Sequence, residues 1–175
     1  DYYYVAVPNA VDINKFDYDN VTVDDSIEFY RDCVLCVSRI EGRKNQLNII
    51  KAIKDLPYKF VFIGQAGANF KKHDKLPQFY KLAKVHILAS WMETPGLSSL
   101  EAAVMKTNIV VTKKGDTEDY FKEYAYYCEP DDLDSIRRAV IAAFEAPFNE
   151  ELSDRILKHY KWEDTAKATL EGYNR

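Results

Sequence analysis

Short apolar runs alternate along this chain with segments of helical periodicity, and turn residues stand between them. The apolar runs predict strands over Tyr2–Val7, Cys33–Ser38, Lys59–Ile63, Val85–Leu88, Ile109–Thr112 and Ala125–Cys128. Most are apolar throughout rather than alternating, as parallel strands covered on both faces should be. Helices are predicted between them. Asn45–Lys54 sets Leu47, Ile50 and Ile53 on one face, and Lys75–Ala83 carries Leu76, Phe79, Tyr80 and Leu82. Leu97–Lys106 and Thr117–Glu123 follow. Leu133–Ala146 has Asp131, Asp132 and Asp134 at its positive end. Asn149–Tyr160 and Glu163–Tyr173 close the chain, with a break near Trp162.

This β-α-β-α order predicts one α/β domain over 1–175, a Rossmann-like open parallel sheet of about six strands with helices on both faces. Ligands of such sheets bind beyond the carboxyl ends of the strands. The loops after Ser38, Ile63, Leu88, Thr112 and Cys128 are therefore the places to look for chemistry. The chain opens inside a predicted strand, which points to a segment cut from a longer polypeptide.

Composition narrows the function classes. Apolar residues make up 47% and charged residues 30% of the 175, which suits a globular chain. The net charge of −4 argues against a nucleic-acid binder, which needs a basic stripe to neutralise phosphates. No stretch approaches the roughly 20 apolar residues of a membrane span, and no leader pattern is visible. A cytoplasmic location follows, or a peripheral one at the inner face of the membrane. Cys33 and Cys36 form a C-x-x-C within a predicted strand, where residues three apart point to opposite faces. They read as core thiols rather than a metal or redox pair. His73, His86 and His159 show no ligand spacing, and Asp17-Tyr18-Asp19, though of D-x-D form, falls in a polar surface loop.

Three loops carry candidate chemistry. The first, Ser38 to Asn45, brackets a turn with Arg39 and Lys44 ahead of a helix, a pair suited to a diphosphate. Taken alone, the loop reads rather as a solvated basic turn with Arg43 paired to Glu41. The second, Gly64 to Asn69, has a G-x-x-G that permits close backbone approach and is also an ordinary turn. The third runs from Ser90 to Ala103, with Glu93, a Pro95-Gly96 turn, a helix start at Leu97, and Glu101. Amides of that first turn suit an anion, while two carboxylates beside it suit hydroxyls. Against this, Ser98-x-x-Glu101 has the form of a capping box. In Lys113 to Glu118, Asp116 reads as a helix cap.

Together these residues resemble the C-terminal domain of retaining glycosyltransferases with the GT-B fold, family 4. Pro8-Asn9-Ala10-Val11-Asp12 with Phe16 is similar to the family's P-N-G-V-D-x-x-x-F segment. Arg39 and Lys44 match its G-R-x-x-x-x-K loop, and Gly64 begins the glycine loop. Glu93 to Glu101 matches the E-x7-E motif, followed by Ala102-Ala103; Gly115 and Glu118 match a G-x-x-E turn, and Trp162-Glu163 the W-E before the last helix. The ordered set outweighs the plainer reading of each loop. The resemblance implies that Arg39 and Lys44, helped by the amides of Gly96 and Leu97, bind the diphosphate of a nucleotide-sugar donor. It implies that Glu101 holds the ribose and Glu93 faces the sugar. It further implies transfer with retention, no metal or other cofactor, and a separate N-terminal acceptor-binding domain, absent here, without which the chain transfers nothing.

The departures from the pattern are specific. Ser38 and Ala10 stand where the family has glycine, and Thr94-Pro95 replaces a Gly-aromatic pair, so one backbone donor is gone. Only 17 residues separate Gly67 from Val85, where the family has a further strand and helix. The alternatives are a non-catalytic module that senses a sugar nucleotide or holds a protein partner and, third, a sugar-nucleotide epimerase.

Overall fold

The apolar runs between Cys33 and Cys128 pair into one sheet. The computed structural model describes residues 6–65 and 74–174. Within them the strands are β1 (Cys33–Val37), β2 (Lys59–Ile63), β3 (Ala83–Leu88), β4 (Asn108–Thr112) and β5 (Tyr126–Cys128). All neighbours are parallel, in the order β2-β1-β3-β4-β5. The expected strand at Tyr2–Val7 falls mostly outside the described residues, and Ala6 and Val7 belong to no strand. Gly67 and His73 also lie outside them.

Helices cover both faces. α1 (Gln46–Ile53) and α5 (Leu133–Glu145) pack on one side; α2 (Leu76–Leu82), α3 (Leu97–Val104) and α6 (Glu150–His159) pack on the other. α4 (Thr117–Phe121) is short, and α7 (Trp162–Tyr173) ends the described chain with no buried residue. Strand alternation divides the core accordingly. Cys33, Leu35 and Val37 join Tyr80, Leu100 and Ile156, whereas Val34 and Cys36 join Ile49, Ile53 and Ile136. Cys33 and Cys36 thus lie on opposite faces, both buried and free. Burial raises their thiols to about 12 and about 11, so neither is a nucleophile at neutral pH.

Two local expectations change. The predicted core face of α1 was Leu47, Ile50 and Ile53, yet Leu47 and Ile50 are exposed and the buried set is Ile49, Ala52 and Ile53. Both sets have helical spacing. The rotation is decided by a 3-10 turn at Gly42–Lys44 and by Asn45, held at φ 59. Its buried amide donates to the carbonyls of Ala89 (2.9 Å) and Pro130 (2.7 Å). A 3-10 turn at Asp25–Tyr30 also went unpredicted, although Asp24 caps it by accepting from the Ser26 amide. Asp17 accepts from the amides of Asp19 and Asn20, a surface turn as read from sequence. No described helix is long and apolar enough to cross a membrane.

Candidate functional site

The strand order reverses between β1 and β3. The chain leaves β1 toward β2 and returns on the other side of β1 as β3. At such a point the loops beyond the carboxyl ends diverge and leave a crevice. The loop after β1 and the loop after β3 flank it here, and they line a cavity of about 520 Å³. Arg39, Arg43, Lys44, Glu93, Gly96, Leu97, Ser98 and Glu101 line it, together with Asn9 and Lys15 from the segment ahead of β1.

The two loops are tied across the crevice. The Trp91 amide donates to the Arg43 carbonyl (3.0 Å). Lys44 Nζ lies 2.6 Å from Glu93 Oε1, and these side chains are only 12% and 5% exposed. Gln46 holds the first loop from below, donating to Ser38 Oγ (2.8 Å) and the Arg39 carbonyl (2.6 Å). Arg39 and Arg43 both approach Glu41, at 3.4 and 3.0 Å, and are about half exposed. The Arg43–Glu41 pair expected of a solvated turn is therefore present, yet Arg39 and Lys44 still face the same cavity.

Glu93 is fixed through its backbone. Its amide donates to the Lys114 carbonyl and its carbonyl accepts from the Asp116 amide, each at 3.0 Å, bridging the third loop to Gly115. Gly115 has φ 99, and a Cβ there would stand 2.0 Å from the Glu93 carbonyl oxygen. The G-x-x-E turn of the sequence is thus the clamp behind Glu93. Asp116 occupies the cap position of α4 without a side-chain cap bond.

α3 begins at Leu97, with Gly96 in the cap position, after a cis Thr94–Pro95 bond. The helical ladder starts with Ser99 and Leu100, both donating to the Gly96 carbonyl. The amides of Gly96, Leu97 and Ser98 thus precede it, at the positive end of the helix. Ser98 is the second residue of α3 and makes no cap bond, so the capping box predicted for Ser98 and Glu101 does not form. Glu101 instead accepts from the hydroxyl of Tyr80 at 3.0 Å. Gly64 does not line the cavity. A Cβ on Gly64 would stand 2.1 Å from the Ser38 carbonyl oxygen, so its bareness lets the end of β2 close against the first loop.

Sequence reasoning missed Asn9, Lys15, Asn45 and Tyr80. Asn9 donates to the Thr94 carbonyl (3.0 Å), and its amide donates to the Tyr120 hydroxyl (2.9 Å). Asn9 and Lys15 lie within or beside the P-N-A-V-D segment, where the signal was available. Below the site His86 is wholly buried, and neither ring nitrogen has a hydrogen-bond partner among the described residues. Burial, then the charge of Lys44, pushes its pKa down to about 3, so it is neutral at physiological pH.

No curated protein matches the chain in sequence. Among solved structures, a glycosyltransferase from Rickettsia africae ESF-5 matches with TM-score 0.81 and 16% identity, over 95% of this chain and 55% of that one. Sucrose-phosphate synthase from Thermosynechococcus elongatus matches with TM-score 0.75 and 15% identity, over 96% and 51%. The catalytic domain of Starch Synthase IV from Arabidopsis thaliana, bound to ADP and acarbose, matches with TM-score 0.67 and 17% identity, over 90% and 41%. The chain spans about half the length of these structures, and its fold is the Rossmann-like half of a GT-B glycosyltransferase. Residues 68–161, more than half of the chain, match the model for glycosyl transferases group 1, and the chain belongs to that family.

Proposed function

We propose that this domain binds the nucleotide-sugar donor of a glycosyltransferase that transfers its sugar with retention of configuration. The observation that carries the reading is the gathering of Arg39, Lys44, Glu93 and Glu101, with the first amides of α3, around one cavity at the strand-order reversal. Cations beside exposed amides suit a diphosphate. Carboxylates beside them suit the hydroxyls of ribose and sugar.

In transfer, the bond from the anomeric carbon to the diphosphate breaks and its electron pair leaves on the diphosphate, while an acceptor hydroxyl bonds to the same carbon on the face the diphosphate leaves and gives its proton to the departing diphosphate. Arg39 and Lys44 offset that charge, which is electrostatic stabilisation of the departing group. Glu101 takes the ribose and Glu93 the transferred sugar. Nothing in this scheme requires a metal. The acceptor comes from a second domain, and two observations support its existence. The chain covers 55% and 51% of the Rickettsia and Thermosynechococcus structures, and α7 leaves Trp162, Leu170 and Tyr173 exposed. The chain alone is therefore expected to bind donor and to transfer no sugar.

Calorimetry with ADP, GDP and UDP tests the reading. Losing one charge-assisted contact costs about 1.5–3 kcal/mol, so Arg39→Ala should weaken the best ligand by roughly one to two powers of ten. Equal affinity in wild type and Arg39→Ala would put the diphosphate elsewhere.

A further inference from the structure

Tyr80 is the largest side chain of the core to be wholly buried, and its hydroxyl is aimed at the candidate site. Its ring is confined on several sides. Phe16 meets it edge-on at 5.8 Å, and His86 lies 5.7 Å away at 60°. Its backbone is pinned as well, since the Tyr80 carbonyl accepts from Thr107 Oγ1 at 2.7 Å. A side chain held this way has one place to put its oxygen, and that place is 3.0 Å from Glu101 Oε2. Burial first, and the neighbouring Glu101 charge second, raise the phenol well above its ordinary pKa. It is therefore protonated at neutral pH and donates to the carboxylate.

Glu101 lies in the first two turns of α3 and faces the 520 Å³ cavity on a chain of three rotatable bonds, so a hydrogen bond from a rigid donor restricts where its carboxylate points. A carboxylate has about four acceptor positions. Using one on a rigid buried donor orients the others at the cost of little accepting capacity. Double contact of a carboxylate with vicinal hydroxyls depends on that orientation.

We propose that Tyr80 is a positioning residue that orients Glu101 toward the vicinal diol of the donor's ribose, and so sets the preference for ribose over 2′-deoxyribose. This rests on the donor-binding reading above and deepens it. A purely structural tyrosine, whose hydroxyl merely found the nearest acceptor, would affect stability and leave sugar discrimination unchanged.

Tyr80→Phe removes one oxygen and keeps the ring. Calorimetry should be run with ADP, GDP and UDP, with their 2′-deoxy counterparts, and with inorganic pyrophosphate as a ligand lacking ribose. Wild type should prefer the best ribonucleotide over its deoxy form by about tenfold or more, the size of one charge-assisted hydrogen bond. In Tyr80→Phe that ratio should fall to about threefold or less, with pyrophosphate affinity unchanged. A ratio preserved in Tyr80→Phe overturns the proposal and leaves donor binding standing. Binding of no nucleoside diphosphate to wild type overturns both. Should Tyr80→Phe fold poorly, Tyr80→3-fluorotyrosine supplies a fluorine signal in an otherwise unaltered chain. The signal should shift more with the ribonucleotide than with its deoxy form, and equal shifts would overturn the proposal.

Discussion

Replacing Lys44 by methionine should cost this protein far more stability than an ordinary surface lysine would. Lys44 Nζ and Glu93 Oε1 are 2.6 Å apart, with side chains 12% and 5% exposed. Methionine fills most of the lysine stem but leaves Glu93 charged, buried and without its cation. Breaking a buried pair from one side costs about 3–5 kcal/mol, because the remaining charge keeps its desolvation penalty. In a chain of this size each 1 kcal/mol moves Tm by about 2–4 °C, so Lys44→Met should lower Tm by roughly 6–20 °C. The Lys44→Met/Glu93→Gln double variant removes both charges and should recover much of that loss, with a coupling of about 2 kcal/mol or more. Arg43→Met is the control, because its pair with Glu41 is far more exposed, at 49% and 32%, and solvent-exposed pairs contribute at most about 1 kcal/mol. Urea titration of Lys44→Met, Glu93→Gln, the double variant and Arg43→Met beside wild type, with equal slopes as the check on two-state behaviour, gives every number needed. If Lys44→Met loses no more than Arg43→Met, or if the double variant loses the sum of its singles, the pair is not the buried, coupled contact described here.

Gly115→Ala should disturb Glu93, because the new Cβ would meet the Glu93 carbonyl oxygen at 2.0 Å and φ is 99 there. It should weaken binding of a sugar nucleotide more than that of the free nucleoside diphosphate, while Gly42→Ala, with nothing within 4 Å, should change neither. His86 has its pKa lowered to about 3, so the unfolded chain takes up a proton that the folded chain refuses. That contribution is fully present above about pH 6.5 and is lost as pH falls toward 3, by up to about 1.4 kcal/mol per pH unit. His86→Leu should flatten this limb in urea titrations run between pH 6.5 and 4, and an unchanged slope would assign the acid sensitivity to other groups.

Strand positions were legible because buried parallel strands are written as uninterrupted apolar runs. The opposed faces of Cys33 and Cys36 followed from period two alone. The orientation of α1 was not legible, since Leu47/Ile50 and Ile49/Ile53 satisfy helical spacing equally. The choice between them lies in Asn45, whose partners Ala89 and Pro130 are 44 and 85 residues away. The capping box misled for a related reason. Ser98-x-x-Glu101 is a local pattern, but Gly96 takes the cap position and Ser98 lies already inside the first turn. The cavity's cations and carboxylates were visible as an ordered set of loop residues. The contacts that hold them, Lys44 to Glu93 and Tyr80 to Glu101, join positions 49 and 21 residues apart with no periodicity to announce them.

The Lys44–Glu93 pair bears on how the proposed site would use a donor. Without ligand, each largely buried side chain answers the other's charge. A diphosphate entering beside α3 competes with Glu93 for Lys44, and its larger negative charge favours it in that competition. As Lys44 turns toward the diphosphate, Glu93 loses its cation and needs donors, which the hydroxyls of a sugar supply. A free nucleoside diphosphate brings the competitor without those donors, whereas a nucleotide sugar brings both. On the donor-binding reading, the pair therefore makes the intact donor the better ligand, and replacing Glu93 by glutamine should narrow the gap between the two.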